Sequence, residues 1–329
     1  MSPYTFTYHA RRRLKVNEIK AMEKPIKFSD PLFVTLVASI CCLLWGSAYP
    51  FIKLGYIAFD ILSEDIPSKF VFAGYRFVLA GLLLLFLFRV MTKRKFELSG
   101  RQFSSLILLG VFQTGLQYMF FYVGVANITG VKGSIMNATT TFFSVVLAHF
   151  LYKNDKLSKN KIVGCLLGFI GVIIVNFHSD LLEFSFSLTG EGFVIIAALI
   201  FSITAIYAKH LTGSIDVLVI TGVSLFVGGL ALTLLGLLLG GRVTHFTFES
   251  TGILIYLVLL SSAAFCLWNL LLKYNKVGKV SVYNFLIPVF GTLLSALFLG
   301  ETIMELKNLI ALLFVSIGIY MVNRVTSSK

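Results

Sequence analysis

The chain has 329 residues, of which 57% are hydrophobic and 13% charged, and its formal net charge is +13. Soluble domains run at about 45–50% apolar and about 25% charged, so this chain, with a mean hydropathy of +0.89, cannot clothe itself in polar groups in water. A soluble enzyme, a disordered chain and a collagen-like repeat are excluded, and an all-α polytopic membrane protein is predicted.

Ten apolar runs approach the roughly 20 residues needed to cross the hydrocarbon. In chain order they are Leu32–Leu54, Phe70–Val90, Ser104–Val125, Val131–Leu151, Ile162–Phe177, Phe193–Leu211, Val217–Leu239, Ile253–Leu272, Val280–Leu299 and Leu309–Val322. Stretches such as Leu82–Phe88 are continuously apolar, which disfavours the alternating pattern of a membrane β-barrel. Residues 1–30 read as a basic tail, not a signal peptide, because they lack an apolar core. Residues 325–329 form a second short tail, and no linker has room for an ATPase module. All four cysteines, Cys41, Cys42, Cys165 and Cys266, lie inside apolar runs and read as small buried hydrophobes rather than disulfide partners.

The basic residues orient the runs. With the N-terminus inside, 22 of the 28 Lys and Arg residues fall on the inner side. Lys69, Lys132, Arg242 and Lys307 lie outside, with Lys53 and Arg76 near that face. This asymmetry predicts ten transmembrane helices with both termini cytoplasmic, in the inner or plasma membrane. It also accounts for the positive charge without nucleic acid as a partner; the lipid bilayer and a small-molecule substrate are the partners expected.

The chain repeats itself. Val131–Asn176 lies without gaps over Gly278–Asn323, at an offset of 147 residues, with ten identities. They include Lys132/Lys279, Ser134/Ser281, Asn137/Asn284 and Gly171/Gly318, pairings that apolar bias does not readily produce. Two repeats follow, residues 31–178 and 179–324. Each has five spans, an odd number, so the second enters the membrane inverted. Inverted halves around a midplane site are a known transporter plan. A duplicated chain can form its pore alone, so a monomer is expected.

Several short motifs carry a family resemblance. Leu44-Trp45-Gly46-Ser47-Ala48-Tyr49-Pro50 opens the first span and Ala73-Gly74-Tyr75-Arg76-Phe77 lies in the second. Leu267-Trp268-Asn269, Ser281, Leu286, Pro288 and Leu299-Gly300-Glu301 follow in the eighth and ninth. Together with the ten spans and the repeat, they resemble EamA-type members of the drug/metabolite transporter superfamily, over residues 32–323. The resemblance implies export or exchange of small metabolites, amino acids among them. The first half departs from it, because Pro288, Gly300 and Glu301 align with Thr141, Lys153 and Asn154.

Polar groups inside a membrane are expensive and mark candidate function. Ser134, Asn137, Thr141 and Ser144 recur at helical spacing in the fourth span. Ser281, Asn284, Pro288 and Gly291 repeat the stripe in the ninth. Either a cavity lining or a small-residue packing seam produces such a stripe. Pro288 would free a backbone carbonyl at this depth. Gln113 and Gln117 stand one turn apart beside Tyr118, suiting a polar, uncharged ligand group. Trp45, Tyr49, Tyr283 and Trp268, the last beside Asn269, offer flat walls. Arg76 is the arginine set deepest in a span, where it could hold a substrate carboxylate or phosphate, or a structural bond. Gly164 and Gly168, with Gly171, read as helix packing.

Absences complete the reading. None of the 15 acidic residues lies mid-span, which disfavours proton-coupled export of lipophilic cations. The histidines make no metal-ligand pair at helical spacing, and no catalytic constellation is present; no cofactor, metal or enzymatic activity is expected. The function expected is transport, as an exporter or facilitator, of small metabolites, amino acids preferred, by alternating access through a midplane cavity. The alternative is exchange of phosphorylated or carboxylated anions using Arg76.

Overall fold

The computed structural model describes residues 28–93, 97–128, 130–175, 186–299 and 306–324. The basic residues up to Lys27, the Gly300-Glu301 pair, and the side chains of Lys132 and Ser134 lie outside the described residues. Helices run in chain order as α1 (Pro31–Ala58), α2 (Ile66–Thr92), α3 (Gly100–Ala126), α4 (Gly130–Leu151) and α5 (Lys159–Val175). There follow α6 (Leu188–Leu211), α7 (Val217–Leu238), α8 (Phe248–Tyr274), α9 (residues 277–299) and α10 (Leu306–Asn323). No strand occurs among the described residues. Seven of these helices, α1, α2, α3, α6, α7, α8 and α9, are long and apolar enough to cross a membrane.

Helix ends are set by polar caps rather than by where the apolar runs stop. The Asp30 carboxylate accepts the Phe33 amide and starts α1, with Pro31 following. The Asp65 carboxylate accepts the Ser68 amide and, with Pro67, starts α2 at Ile66. The apolar run suggests a start at Phe70; the cap adds a turn and brings Lys69 into the helix. Ser99 with Gln102, and Thr247 with Ser250, form reciprocal capping boxes at α3 and α8. Each cap satisfies an amide that the first turn would otherwise leave orphaned.

The helices pack in a pattern with internal symmetry. α2 lies along α7, α5 along α10, and α4 meets α9. α1 packs on α8 and α9, α6 packs on α3 and α4, α2 meets α8, and α3 meets α7. Exchanging each helix for the one five places later maps this set onto itself. The closest seams depend on glycine. A Cβ on Gly164 would sit 2.7 Å from the Gly318 carbonyl oxygen, and one on Gly171 would sit 2.8 Å from that of Ala311. Ala311 and Gly318 stand 147 positions after Gly164 and Gly171, so one contact occurs twice. Lipid tails are as apolar as leucine, so such close backbone approach supplies dispersion that burial cannot.

The two halves differ at the α4/α9 pair. α4 is one unbroken α-helix. α9 is α-helical over Val277–Ser281, tightens to a 3₁₀ turn over Val282–Phe285, and resumes as Leu286–Leu299. Pro288 has no amide to give the Asn284 carbonyl, whereas Thr141, its counterpart, keeps that bond available. Large side chains such as Phe86, Leu234 and Leu313 are exposed on the outer faces, a surface suited to acyl chains.

Candidate functional site

A cavity of about 280 Å³ lies among α1, α2, α3, α4, α6, α8 and α9. Its walls use the C-terminal half of α1 (Trp45, Tyr49, Tyr56) and the N-terminal half of α2 (Lys69, Arg76). The C-terminal half of α3 adds Gln117, Tyr118 and Tyr122, and the N-terminal half of α4 adds Asn137 and Thr140. Asn284, Ile287 and Pro288 come from the break in α9. The cavity therefore runs from mid-helix toward the end of the bundle that carries residues 59–65 and 127–128.

Arg76 is 2% exposed, and its Nε donates to Ser261 Oγ on α8 at 2.6 Å. The guanidinium also lies over the Phe77 ring, 4.9 Å from its centroid. That bond engages the inner nitrogen alone and holds the side chain at the wall. Lys69 donates to the Ser63 carbonyl at 2.6 Å and lies over the Tyr56 ring. The lining thus carries two cations and, among the described residues, no carboxylate. Asn137 on α4 and Tyr49 on α1 both line this wall.

The floor is aromatic. Trp45 meets Trp268 edge-on at 5.1 Å, Phe265 at 5.4 Å and Phe201 at 6.4 Å between ring centroids. Beyond the floor, the opposite end of the bundle is held by polar bonds. The Asp155 carboxylate, in the turn after α4, receives Lys161 Nζ at 2.6 Å and the Gly278 amide of α9 at 2.9 Å. Lys209, at the end of α6, donates to the Leu272 and Asn275 carbonyls at the end of α8, and lies over the Tyr152 ring. Burial, and then the Asp155 carboxylate, push the Tyr152 phenol up from its ordinary value, so it stays a neutral surface for that ammonium.

Of the residues expected at the site, the structure places Trp45, Tyr49, Arg76, Gln117, Tyr118, Asn137, Asn284 and Pro288 on the wall. Gln113, Thr141, Trp268, Asn269 and Tyr283 lie off it. Gln113 lies in a π turn over Val111–Leu116 and is buried away from the lining. Thr141 Oγ1 donates to the Ser281 carbonyl at 3.2 Å, joining α4 to α9. Trp268 is packed behind Trp45. Asn269 Nδ2 donates to Thr221 Oγ1 on α7 at 3.0 Å. The 3₁₀ turn carries the Tyr283 hydroxyl to Thr35 Oγ1 on α1, 2.7 Å away. Ser144 also serves packing, through Ser202 of α6 at 3.1 Å.

Lys69, Tyr56, Tyr122 and Phe265 line the cavity without having been expected. The Asp65-Ile66-Pro67 start signal could have placed Lys69 in a helix. The aromatics carry no signal of their own in a chain that is 14% Phe, Trp and Tyr.

The model of the EamA-like transporter family matches the chain twice, over residues 32–177 and 188–324. An uncharacterized transporter of Bacillus subtilis, YoaV, is 26% identical over 291 residues, which cover 87% of this chain and 95% of that one. An uncharacterized transporter of Archaeoglobus fulgidus is 26% identical over 273 residues, 81% of this chain and 89% of that one. A WAT1-related chloroplastic protein of Arabidopsis thaliana is 24% identical across 85% of this chain and 66% of its own length. A crystal structure of a protein 16% identical superposes with a TM-score of 0.71 over 89% of this chain and 98% of its own, a likeness of fold. With both five-helix segments matched, and with relatives named as transporters rather than enzymes, this chain belongs to the EamA-like transporter family of the drug/metabolite transporter superfamily.

Proposed function

We propose that this transporter moves small metabolites, amino acids foremost, by alternating access through the cavity, as an exporter or facilitator. One observation carries the reading: a cavity built by helices from both halves, lined by a buried arginine, amides and aromatic rings with no carboxylate among the described residues. A guanidinium matches a carboxylate in shape and charge, and side-chain amides bind polar groups without fixing a charge.

In this reading ten helices cross the inner or plasma membrane as two inverted repeats, residues 31–178 and 179–324, with both termini cytoplasmic. The 22 inner-side cations and the contact set that maps onto itself support that topology. The cavity then faces outward, and the Asp155 network closes the cytoplasmic end. A single chain completes the cavity, which supports function as a monomer.

The test is flux in proteoliposomes against radiolabelled amino acids, nucleosides, sugars and organic phosphates, with and without a pH gradient. Amino-acid flux that ignores the gradient and is lost in Arg76→Met is the result expected. Absence of amino-acid flux alongside flux of another class would overturn the substrate assignment.

Exchange of phosphorylated or carboxylated anions is a second reading, favoured by Lys69. It adds a second cation to the wall, where the spans alone suggested Arg76. Phosphate-ester flux abolished in both Arg76→Met and Lys69→Met would establish it.

A further inference from the structure

Gln117 and Asn284 share a property that packing does not explain. Each is 6% exposed, each lines the cavity, and neither Gln117 Oε1 nor Asn284 Oδ1 has a hydrogen-bond partner among the described residues. The two oxygens come from different halves of the chain, one on α3 and one in the 3₁₀ turn of α9. A buried carbonyl oxygen without a donor is destabilising, and such groups call for a partner; the Tyr56 hydroxyl, on the same wall, is unpaired too.

We propose that these two oxygens form an acceptor subsite that holds an N–H donor of the solute. Arg76, its guanidinium fixed by Ser261, takes the carboxylate. The solute class is therefore a carboxylate that also carries an amine or amide nitrogen, with a net charge of zero or −1. The acceptors are neutral, so an uncharged N–H group binds there as an ammonium does. Cations without a carboxylate are rejected by Lys69 and Arg76. The hydrogen-bond mismatch supplies the selectivity: a ligand lacking the donor leaves both oxygens unpaired, a stronger penalty than loss of an apolar contact.

This rests on the transporter reading above, and one experiment separates the two. Flux and thermal stabilisation are measured with alanine, leucine and phenylalanine, each paired with its 2-oxo acid, in which a carbonyl acceptor replaces the amine. Wild-type protein should favour each amino acid over its 2-oxo partner by about tenfold, the effect of one well-placed hydrogen bond. Asn284→Leu and Gln117→Met should each bring that ratio to within about twofold of unity. Asn284→Asp retains the oxygen and should preserve the preference. If the leucine variant fails to fold, the wild-type ratio and the aspartate variant still decide. Equal handling of amine and 2-oxo probes by wild-type protein, or a ratio that survives both apolar variants, overturns the subsite while leaving the carrier intact. Neither flux nor stabilisation with any probe overturns the amino-acid reading and the subsite with it.

Discussion

The Asp155 carboxylate accepts the Gly278 amide at 2.9 Å, although 123 residues separate them. The bond ties the turn after α4 to the first turn of α9, and so joins the first half of the chain to the second. Asp155 is 2% exposed and its ionic partner Lys161 is 8% exposed. A Cβ on Gly278 would lie 3.2 Å from Oδ1, so the carboxylate sits tightly against the backbone. Its negative charge faces the amide end of α9, where the helix dipole favours it.

Asp155→Asn leaves the Lys161 ammonium buried without its counter-charge. Breaking one partner of a buried pair costs about 3–5 kcal/mol, and the melting temperature of the detergent-solubilised protein should fall by several degrees. Asp155→Asn with Lys161→Met should recover part of the loss, because the stranded charge is gone. An unchanged melting temperature in the single variant would mean that the joint is not closed in solution.

Arg76 gives a different kind of test. Arg76→Lys keeps the charge but loses the planar fork that pairs with a carboxylate. It should raise KM for a carboxylated substrate by about tenfold or more, since a charge-assisted bond contributes about 1.5–3 kcal/mol. Ser261→Ala removes only the bond that positions the guanidinium and should have a smaller effect. Initial-rate flux across a range of substrate concentrations distinguishes the two.

The glycine seams predict opposite signs at different sites. Gly164→Ala and Gly318→Ala place a methyl 2.7 Å and 2.5 Å from a carbonyl oxygen of the facing helix. Both should be destabilising, by about 1–3 kcal/mol for overpacking. Gly252, inside α8, has nothing within 4 Å of its would-be Cβ. Gly252→Ala should stabilise by up to about 1 kcal/mol through helix propensity. Thermal melts of the three proteins read both directions.

Pro288→Ala restores an amide that can bond the Asn284 carbonyl and continue α9 as a regular helix. The variant should be more stable yet slower in flux, because the 3₁₀ segment places Asn284 at the wall. Thr141→Pro, at the equivalent position of unbroken α4, should destabilise by about 3 kcal/mol or more. Comparing melts with flux separates the local break from overall stability.

The amino-acid sequence by itself determined that this chain belongs in a membrane and which runs become helices, and it offered Arg76, Gln113, Gln117, Asn137, Thr141, Asn269 and Asn284 alike as polar candidates within them. These follow from local physics: burial of apolar area, the price of a polar group in lipid, and a spacing of three or four residues on one helical face. Only the tertiary structure decided which polar side chains face a cavity and which face a neighbour. Gln113, in a π turn one turn before Gln117, is buried off the wall that Gln117 lines. Asn269, Thr141 and Tyr283 were taken by Thr221, Ser281 and Thr35, partners at least 48 positions away in the chain. Lys69 reached the wall because Asp65 capped α2 a turn early. A polar residue satisfied by another helix and one waiting for a solute read alike in the chain; the difference lies in what packs against them, and that is a property of the whole fold.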